Sequence, residues 1–396
     1  MNSTAERRRP PKVSLLYHPT FHSIVYQIAL SAFVLFVAYQ LIKNVIDNLR
    51  SAGIATGFAF WNHTAGFDIS QTLIEYAPQV STYGRAFWVG LLNTLLVAAL
   101  GIVFATILGF VIGIGRLSRN IMVARLTGGY VEVIRNLPLL LQLYFWYNAV
   151  LKALPELANS TVLRGGIVLN NRGLFLPQPM FGDGAGAVLG AGIAAVAIAV
   201  ALHVVARRRQ LRTGRRPPVL ALSLLLVVGL PVAAFFAVGV SVNFEYPQAG
   251  RFNIRGGIEI LPEFMALLFG LVIYTAAFIG EAVRAGIQAV SKGQTEAAYA
   301  LGLRPSYALR LIVIPQAMRV IMPPLTNQYL NLTKNSSLAV AIGYPDFVQI
   351  FTGSVLNLTG QAVEVVAITM AVYLSISLVT SLALNLYNAR LARPEW

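Results

Sequence analysis

The sequence predicts an all-α polytopic membrane protein with about eight transmembrane helices, and three observations carry that expectation. Hydrophobic residues make up 57% of the chain and charged residues only 11%, against about 25% charged in a typical soluble domain; the mean hydropathy is +0.68. Several apolar runs reach about 20 residues, the length that crosses a bilayer as a helix. The basic residues behind the formal charge of +15 collect in short segments beside those runs. That distribution follows the positive-inside rule and argues against a nucleic-acid partner.

Composition also excludes chemistry. Cysteine is absent, which removes a disulfide framework, a thiolate nucleophile and a cysteine metal site. The four histidines (His18, His22, His63, His203) are scattered without ligand spacing, so no metal centre is expected. No Gly-x-x-x-x-Gly-Lys-Ser/Thr phosphate loop occurs, and no nucleophile with its base is evident. The expectation is a chain with no catalytic residues and no ATPase site of its own.

Residues 1–86 read as a polar tail, a membrane anchor and an external loop. Arg7, Arg8, Arg9 and Lys12 precede an apolar segment at about 21–46. The length of that segment, with no small-x-small cleavage site after it, favours an uncleaved signal anchor with a cytoplasmic N-terminus. Residues 48–85 carry Trp61, His63, Asp68 and Glu75 and fall outside by alternation.

Residues 87–154 hold two spans. The first, about 87–115, ends at Arg116, Arg119 and Arg125. The second follows Tyr130-Val-Glu-Val-Ile-Arg-Asn-Leu-Pro-Leu-Leu-Leu-Gln142 and continues to about Leu154. Glu132 and Arg135, three residues apart, share a helix face and could form a structural ion pair. Pro138 breaks or kinks the helix and frees a carbonyl.

Residues 155–258 begin with a Gly-, Pro- and Asn-rich external loop, followed by two spans at about 184–205 and 218–240. Between them lies Arg207–Arg216, with six arginines and no acid. Joining two spans, it reads as an anchor facing anionic lipid. A polar external loop at 241–262 follows.

Residues 259–396 contain the last three spans, at about 263–284, 313–342 and 362–388, the last ending at Arg390 and Arg393. With eight spans both termini are cytoplasmic. In the seventh span Asn327, Asn331 and Lys334 recur at i, i+4 and i+7 on one face, and Asn335, Ser336 and Ser337 extend the polar run. Such a face should meet protein or a water-filled cavity, since unpaired polar groups are costly in lipid. It could line a substrate path, with Lys334 receiving a carboxylate. Alternatively Lys334 snorkels to the interface and the amides bond neighbouring helices.

Between the sixth and seventh spans, residues 291–315 combine charge, small residues and turn signals. Thr295 is a plausible N-cap for a short helix beginning at Glu296. Gly302 is a helix stop, and Pro305 suits the first position of a second helix. Ala297, Ala298 and Ala300 make a small-residue face fit for another protein's groove.

This pattern resembles the EAA loop of bacterial ABC importer permeases: Glu296-Ala297-Ala298, Gly302 after three intervening residues, then Ile312 and Ile314-Pro315, with isoleucine where that family has leucine. The flanking GEAVRAGIQAVSKGQ and NLTKNSSLAVAIG are similar to the subfamily that moves polar amino acids. The run from Tyr130 to Gln142 resembles its Tyr-x-Glu-x-x-Arg-x-x-Pro-Leu-x-x-Gln pattern. The resemblance covers about 85–150 and 260–390. It implies a type I importer permease core of five helices, to which this chain adds the N-terminal helix and, within 155–258, an inserted helix pair like that of the longer permeases of general amino-acid importers.

The resemblance further implies an inner-membrane location and ATPase coupling through Glu296, Ala297, Ala298, Gly302, Pro305 and Pro315. No cofactor is expected on this chain, ATP and magnesium being held by a partner. The implied partners are two copies of an ATPase subunit, a second permease (a hetero-dimer), a periplasmic substrate-binding protein and an amino-acid substrate. The rival reading, a secondary amino-acid transporter driven by an ion gradient, needs mid-membrane acids, whereas the acids here fall mostly in loops or near span ends.

Overall fold

The computed structural model of the protein describes residues 19–51, 53, 56–213, 218–250 and 253–391. Arg7, Arg8, Arg9, Lys12, Arg215, Arg216 and Arg393 lie outside them. Helices dominate, and two compact units can be described separately: Met1–Leu91 with Phe347–Ile376, and Leu92–Asp346 with Ser377–Trp396.

Helix α1 (Pro19–Ser51) belongs to the first unit and is exposed along nearly all of its described length. The core of this unit is aromatic. Phe60, Tyr83, Phe347 and Phe351 are buried, with Trp61 and Phe87 packed against them. Phe347 and Phe351 stack with ring centroids 4.6 Å apart, and Phe87 meets Phe347 edge-on at 5.1 Å. Such offset and edge contacts are the arrangements the ring quadrupole favours. The buried Glu364 carboxylate accepts the Gly57 backbone N–H, so a charge inside this unit has a partner.

Helix α2 (Tyr83–Gly115) supplies residues to both units. Helix α3 (Ile121–Asn136) is started by Asn120, whose side chain accepts from the N–H groups of Met122 and Val123. Helix α4 (Leu139–Tyr144) follows a break at Leu137–Pro138 and widens into a π-helical turn, Phe145–Leu151. The third expected span is therefore a short apolar helix, Leu139–Leu151, set off from α3 by the proline. Seven described helices are long and apolar enough to cross a membrane.

The stretches expected as plain loops contain strands. β1 (Thr161–Leu163), β2 (Ile167–Asn170), β3 (Gly173–Leu176) and β8 (Ile258–Ile260) form an antiparallel sheet in that order. β4 (Gln178–Phe181) pairs with β5 (Val242–Glu245), and β6 (Gln248–Ala249) pairs with β7 (Ile254–Arg255). Helices α5 (Ala185–Thr213) and α6 (Val219–Val238) leave β4 and return to β5, so that ribbon and helices make one long hairpin.

The centre of the second unit is α7 (Pro262–Gln288), just over half of which is buried. Lipid tails are as apolar as leucine, so helices in a membrane associate by close packing, and small residues permit it. A Cβ on Gly113 of α2 would lie 2.7 Å from the Gly280 carbonyl oxygen of α7. Two short helices, α8 (Lys292–Ala300) and α9 (Pro305–Ala308), lead through a π-helical turn, Leu309–Val313, into α10 (Ile314–Asn335). Ile321 of α10 packs into the space left by Gly286 of α7. A 3-10 segment, Ser336–Ile342, extends α10; a further π-helical turn, Gln349–Val355, leads into α11 (Leu356–Thr359), and α12 (Ala362–Leu391) ends the described chain.

Candidate functional site

The segment 291–315 folds as a helix-turn-helix. α8 starts at Lys292 after Ser291, one turn earlier than expected, and Thr295 lies inside it and caps nothing. The start moves because Ser291, not Thr295, is the extended residue ahead of the first helical turn. The stop falls where expected. Gly302 takes φ +75°, its N–H donates to the Tyr299 carbonyl at 2.9 Å, and the Leu303 N–H donates to the Ala298 carbonyl at 3.1 Å. These two bonds are a Schellman motif, which satisfies the last carbonyls of a helix and asks for a left-handed residue. Pro305 opens α9, where its missing N–H costs nothing. Pro315 sits at the start of α10 directly behind the π-helical turn, a place where a ring that blocks the regular i→i−4 bond is accommodated.

Exposure sorts the residues of this segment. Ala298 and Ala308 are turned inward at 1% exposure each. Ala297 and Ala300 are exposed, so the three alanines do not form one face. The outer surface is Glu296, Ala297, Tyr299, Leu301 and Tyr307, with Leu301 81% exposed. Glu296 is the one acid of the segment, among Lys292, Arg304 and Arg310. A side-chain bond from Gln316 Nε2 to Gln294 Oε1 (3.3 Å) ties α8 to α10. What results is an apolar knob with a single carboxylate, held on a short helix.

Along α10 the side chains divide cleanly. Ile321, Leu325, Thr326, Leu332 and Thr333 face inward, while Asn327, Asn331 and Lys334 share an exposed face. Asn335 is half-buried. Ser336 is buried and its hydroxyl donates to the Thr333 carbonyl at 2.8 Å; the Ser337 hydroxyl donates to the Lys334 carbonyl at 2.7 Å. The two serines thus spend their donors on their own helix, and the amide–lysine face is what remains presented. Thr106 of α2 and Tyr329 of α10 join through their hydroxyls at 2.8 Å.

Glu132 and Arg135 do not pair. The Arg135 guanidinium lies over the Phe278 ring of α7, 5.0 Å from its centroid, and Glu132 stays exposed. A guanidinium gains as much from an aromatic face as from an exposed carboxylate three residues away. Glu281 of α7 is paired, and binds both Arg116 and Arg284. Arg284 sits three residues on and is visible in the sequence. Arg116 is 165 residues distant, and no local pattern announces it.

Gln142 was visible only as part of a motif, and the structure gives it a task. Its Nε2 donates to the carbonyls of Ile134 (3.0 Å) and Leu137 (3.1 Å), the groups released where Pro138 interrupts the helix. Nearly buried, it closes a break that would otherwise leave two bare carbonyls in the membrane.

The chain thus presents a short exposed helix between two membrane-length helices, with a polar face along the second of them. The chain belongs to the family described as binding-protein-dependent transport system inner membrane component, whose sequence profile matches residues 101–393. It is 50% identical over 385 residues to the general L-amino acid transport system permease protein AapQ of Rhizobium johnstonii, covering 96% of this chain and 95% of that one. It is 48% identical over 392 residues to the putative amino-acid ABC transporter permease protein YhdX of Escherichia coli K12, covering 99% and 100%. The glutamate/glutamine/aspartate/asparagine transport system permease protein BztB of Rhodobacter capsulatus is 41% identical over 422 residues, covering 98% of each.

Proposed function

We propose that this chain is the transmembrane permease subunit of an ATP-binding-cassette importer for amino acids. Three relatives matched over nearly their whole length are named for amino-acid transport, and their names span several side-chain types, which favours a broad-specificity system. The observation that carries the mechanism is α8, an exposed knob stopped by Gly302 and continuous through α9 with α10. In this reading Glu296, Ala297, Tyr299 and Leu301 seat in a cleft of an ATPase subunit. Ala298, Pro305 and Pro315 shape the lever, and closure of two ATPase copies around ATP and magnesium tilts α10. The Asn327, Asn331 and Lys334 face then lines the path between outward and inward states, with Lys334 meeting the substrate carboxylate.

The domain plan that goes with this reading keeps residues 87–154 and 259–396 as the transport core. Residues 1–86 are an anchor and 155–258 an insertion. Both termini and the α8 segment face the cytoplasm of a bacterial inner membrane, where the arginine clusters fall. A second, different permease and an external substrate-binding protein complete the assembly. The ion-driven alternative finds no support among the relatives.

The test is co-purification from native membranes in mild detergent, comparing wild type with Gly302→Asp. Recovery of an ATPase and a second permease with the wild-type chain, and loss of the ATPase with the variant, is the expected result. A solitary chain in both preparations would overturn the reading.

A further inference from the structure

Helices α2 and α7 meet along a seam of small residues. Gly109 and Gly113 stand four apart on α2, against Ala276 and Gly280, four apart on α7. A Cβ on Gly109 would lie 3.2 Å from the Ala276 carbonyl oxygen, and one on Gly280 would lie 3.3 Å from the Gly109 carbonyl oxygen. Small residues at this spacing let two membrane helices close to backbone contact.

At the end of the seam nearest α8, a polar lock follows the packing. Arg116 is the first residue after α2, and its N–H still donates to the Ile112 carbonyl at 2.9 Å, so it continues the helical turn beyond Gly113. Its Nη1 donates to Glu281 Oε2. The other carboxylate oxygen, Oε1, accepts from Arg284 Nη2 at 2.5 Å, and Arg284 Nη1 donates to Gln288 Oε1 at 2.5 Å. Gln288 is the last residue of α7, and α8 starts four residues on, at Lys292. The Arg116 and Glu281 side chains are 17% and 26% exposed, so salt screens this pair less than it would an open surface pair. The two arginines differ in what they join. Arg284 ties α7 to itself, whereas Arg116 ties α7 to α2.

We propose that Arg116 is a positioning residue for ATP coupling, an inference that rests on reading α8 as the ATPase-facing helix. By holding Glu281 it makes the α8-side ends of α2 and α7 move as one body when α8 is displaced. The short helix then has two routes into the membrane: through α9 into α10, and through residues 289–291 into α7. Without Arg116 the second route stops at α7. Breaking a shielded ion pair is costly when it strands a charge, but Glu281 keeps Arg284 when Arg116 is removed. Folding and coupling are therefore separable at this residue.

The chain has no cysteine, so Arg119→Cys and Ala289→Cys, at exposed positions beside the two helix ends, accept a pair of spin labels in the assembled transporter. Their separation should be the same without nucleotide and with ATP trapped, and should differ between those states once Arg116→Ala is added. A separation that already changes with Arg116 in place, or one that Arg116→Ala leaves constant, would overturn the inference. In proteoliposomes, Arg116→Ala should lower the amino acid carried per ATP hydrolysed by about three-fold or more, with the thermal midpoint and the recovery of the ATPase subunit unchanged. Arg284→Ala, which leaves the Arg116–Glu281 bond, should keep the wild-type ratio, and Arg116→Glu combined with Glu281→Arg should restore it. Uptake and hydrolysis that fall in proportion, along with the thermal midpoint, would overturn the coupling role in favour of a merely structural pair. Wild-type uptake that needs no ATP would overturn the reading of α8 and this inference with it. ATP-coupled uptake whose ratio survives Arg116→Ala would overturn this inference alone.

Discussion

Gln142 and Gly302 show how single residues carry this design, and for opposite reasons. Gln142 answers a backbone demand created four residues earlier, since Pro138 cannot donate and its ring excludes the regular turn. Replacing Gln142 by Leu keeps the volume and removes both donors. The expected cost is about 1–3 kcal/mol for the stranded carbonyls, read as a lower thermal midpoint of the detergent-solubilised protein. Gly302 works through φ alone. At +75° an added Cβ meets nothing within 4 Å, so the penalty for a side chain is conformational. Gly302→Val should cost about 1–2 kcal/mol at that turn, and Gly302→Asn less, because asparagine tolerates the left-handed region. Measured by ATPase activity of the assembled transporter, Asn should retain more coupling than Val. Equal loss would mean that the surface at 302, and not the turn, is what matters.

At the scale of elements, the packing of α2 on α7 and the face of α10 make separate predictions. Gly113→Leu would force a side chain against the Gly280 carbonyl oxygen, which is backbone and cannot step aside. Overpacking of this kind costs about 1–3 kcal/mol or more. Gly128→Leu, whose Cβ position is open, is the control, and thermal unfolding of the two variants should differ clearly. Along α10, Asn331→Leu alters an exposed amide and no internal bond, so folding should persist. If that face lines the path, substrate transport falls while ATPase activity remains. If transport is unchanged, the face belongs to a contact and not to the path.

Elements also show why the sequence was legible in some places and opaque in others. Long apolar runs announced seven of the spans because a membrane helix must satisfy its own backbone and show lipid a continuous apolar surface. The strands were missed because each is two to four residues long, inside stretches rich in glycine, proline and asparagine. A signal did exist: Ile167-Val-Leu-Asn170 and Gly173-Leu-Phe-Leu176 flank a two-residue turn, and the register pairs Asn170 with Gly173. Tertiary partners were opaque. Glu281 chose Arg116 from the turn after α2, and Arg135 chose Phe278 over Glu132, because three-dimensional proximity outbids sequence spacing for long flexible side chains.

Over the whole molecule, the mechanical idea proposed above is that a helix doing no chemistry itself transmits force from an ATPase to a membrane path. The helix-turn-helix proposed as the lever was visible in the sequence as Glu296-Ala-Ala and Gly302. Its sidedness was not, since Ala298 turned inward while Leu301, outside the motif, became the most exposed of its large apolar residues. The direct test is transport by the reconstituted complex in sealed proteoliposomes, with its external binding protein and a labelled amino acid. Wild type should accumulate substrate only with ATP on the side of α8 and be indifferent to ionophores that collapse proton and sodium gradients; Glu296→Ala should lower uptake with little change in thermal stability. Uptake that follows an imposed ion gradient without ATP, and is untouched by Glu296→Ala, would contradict the account.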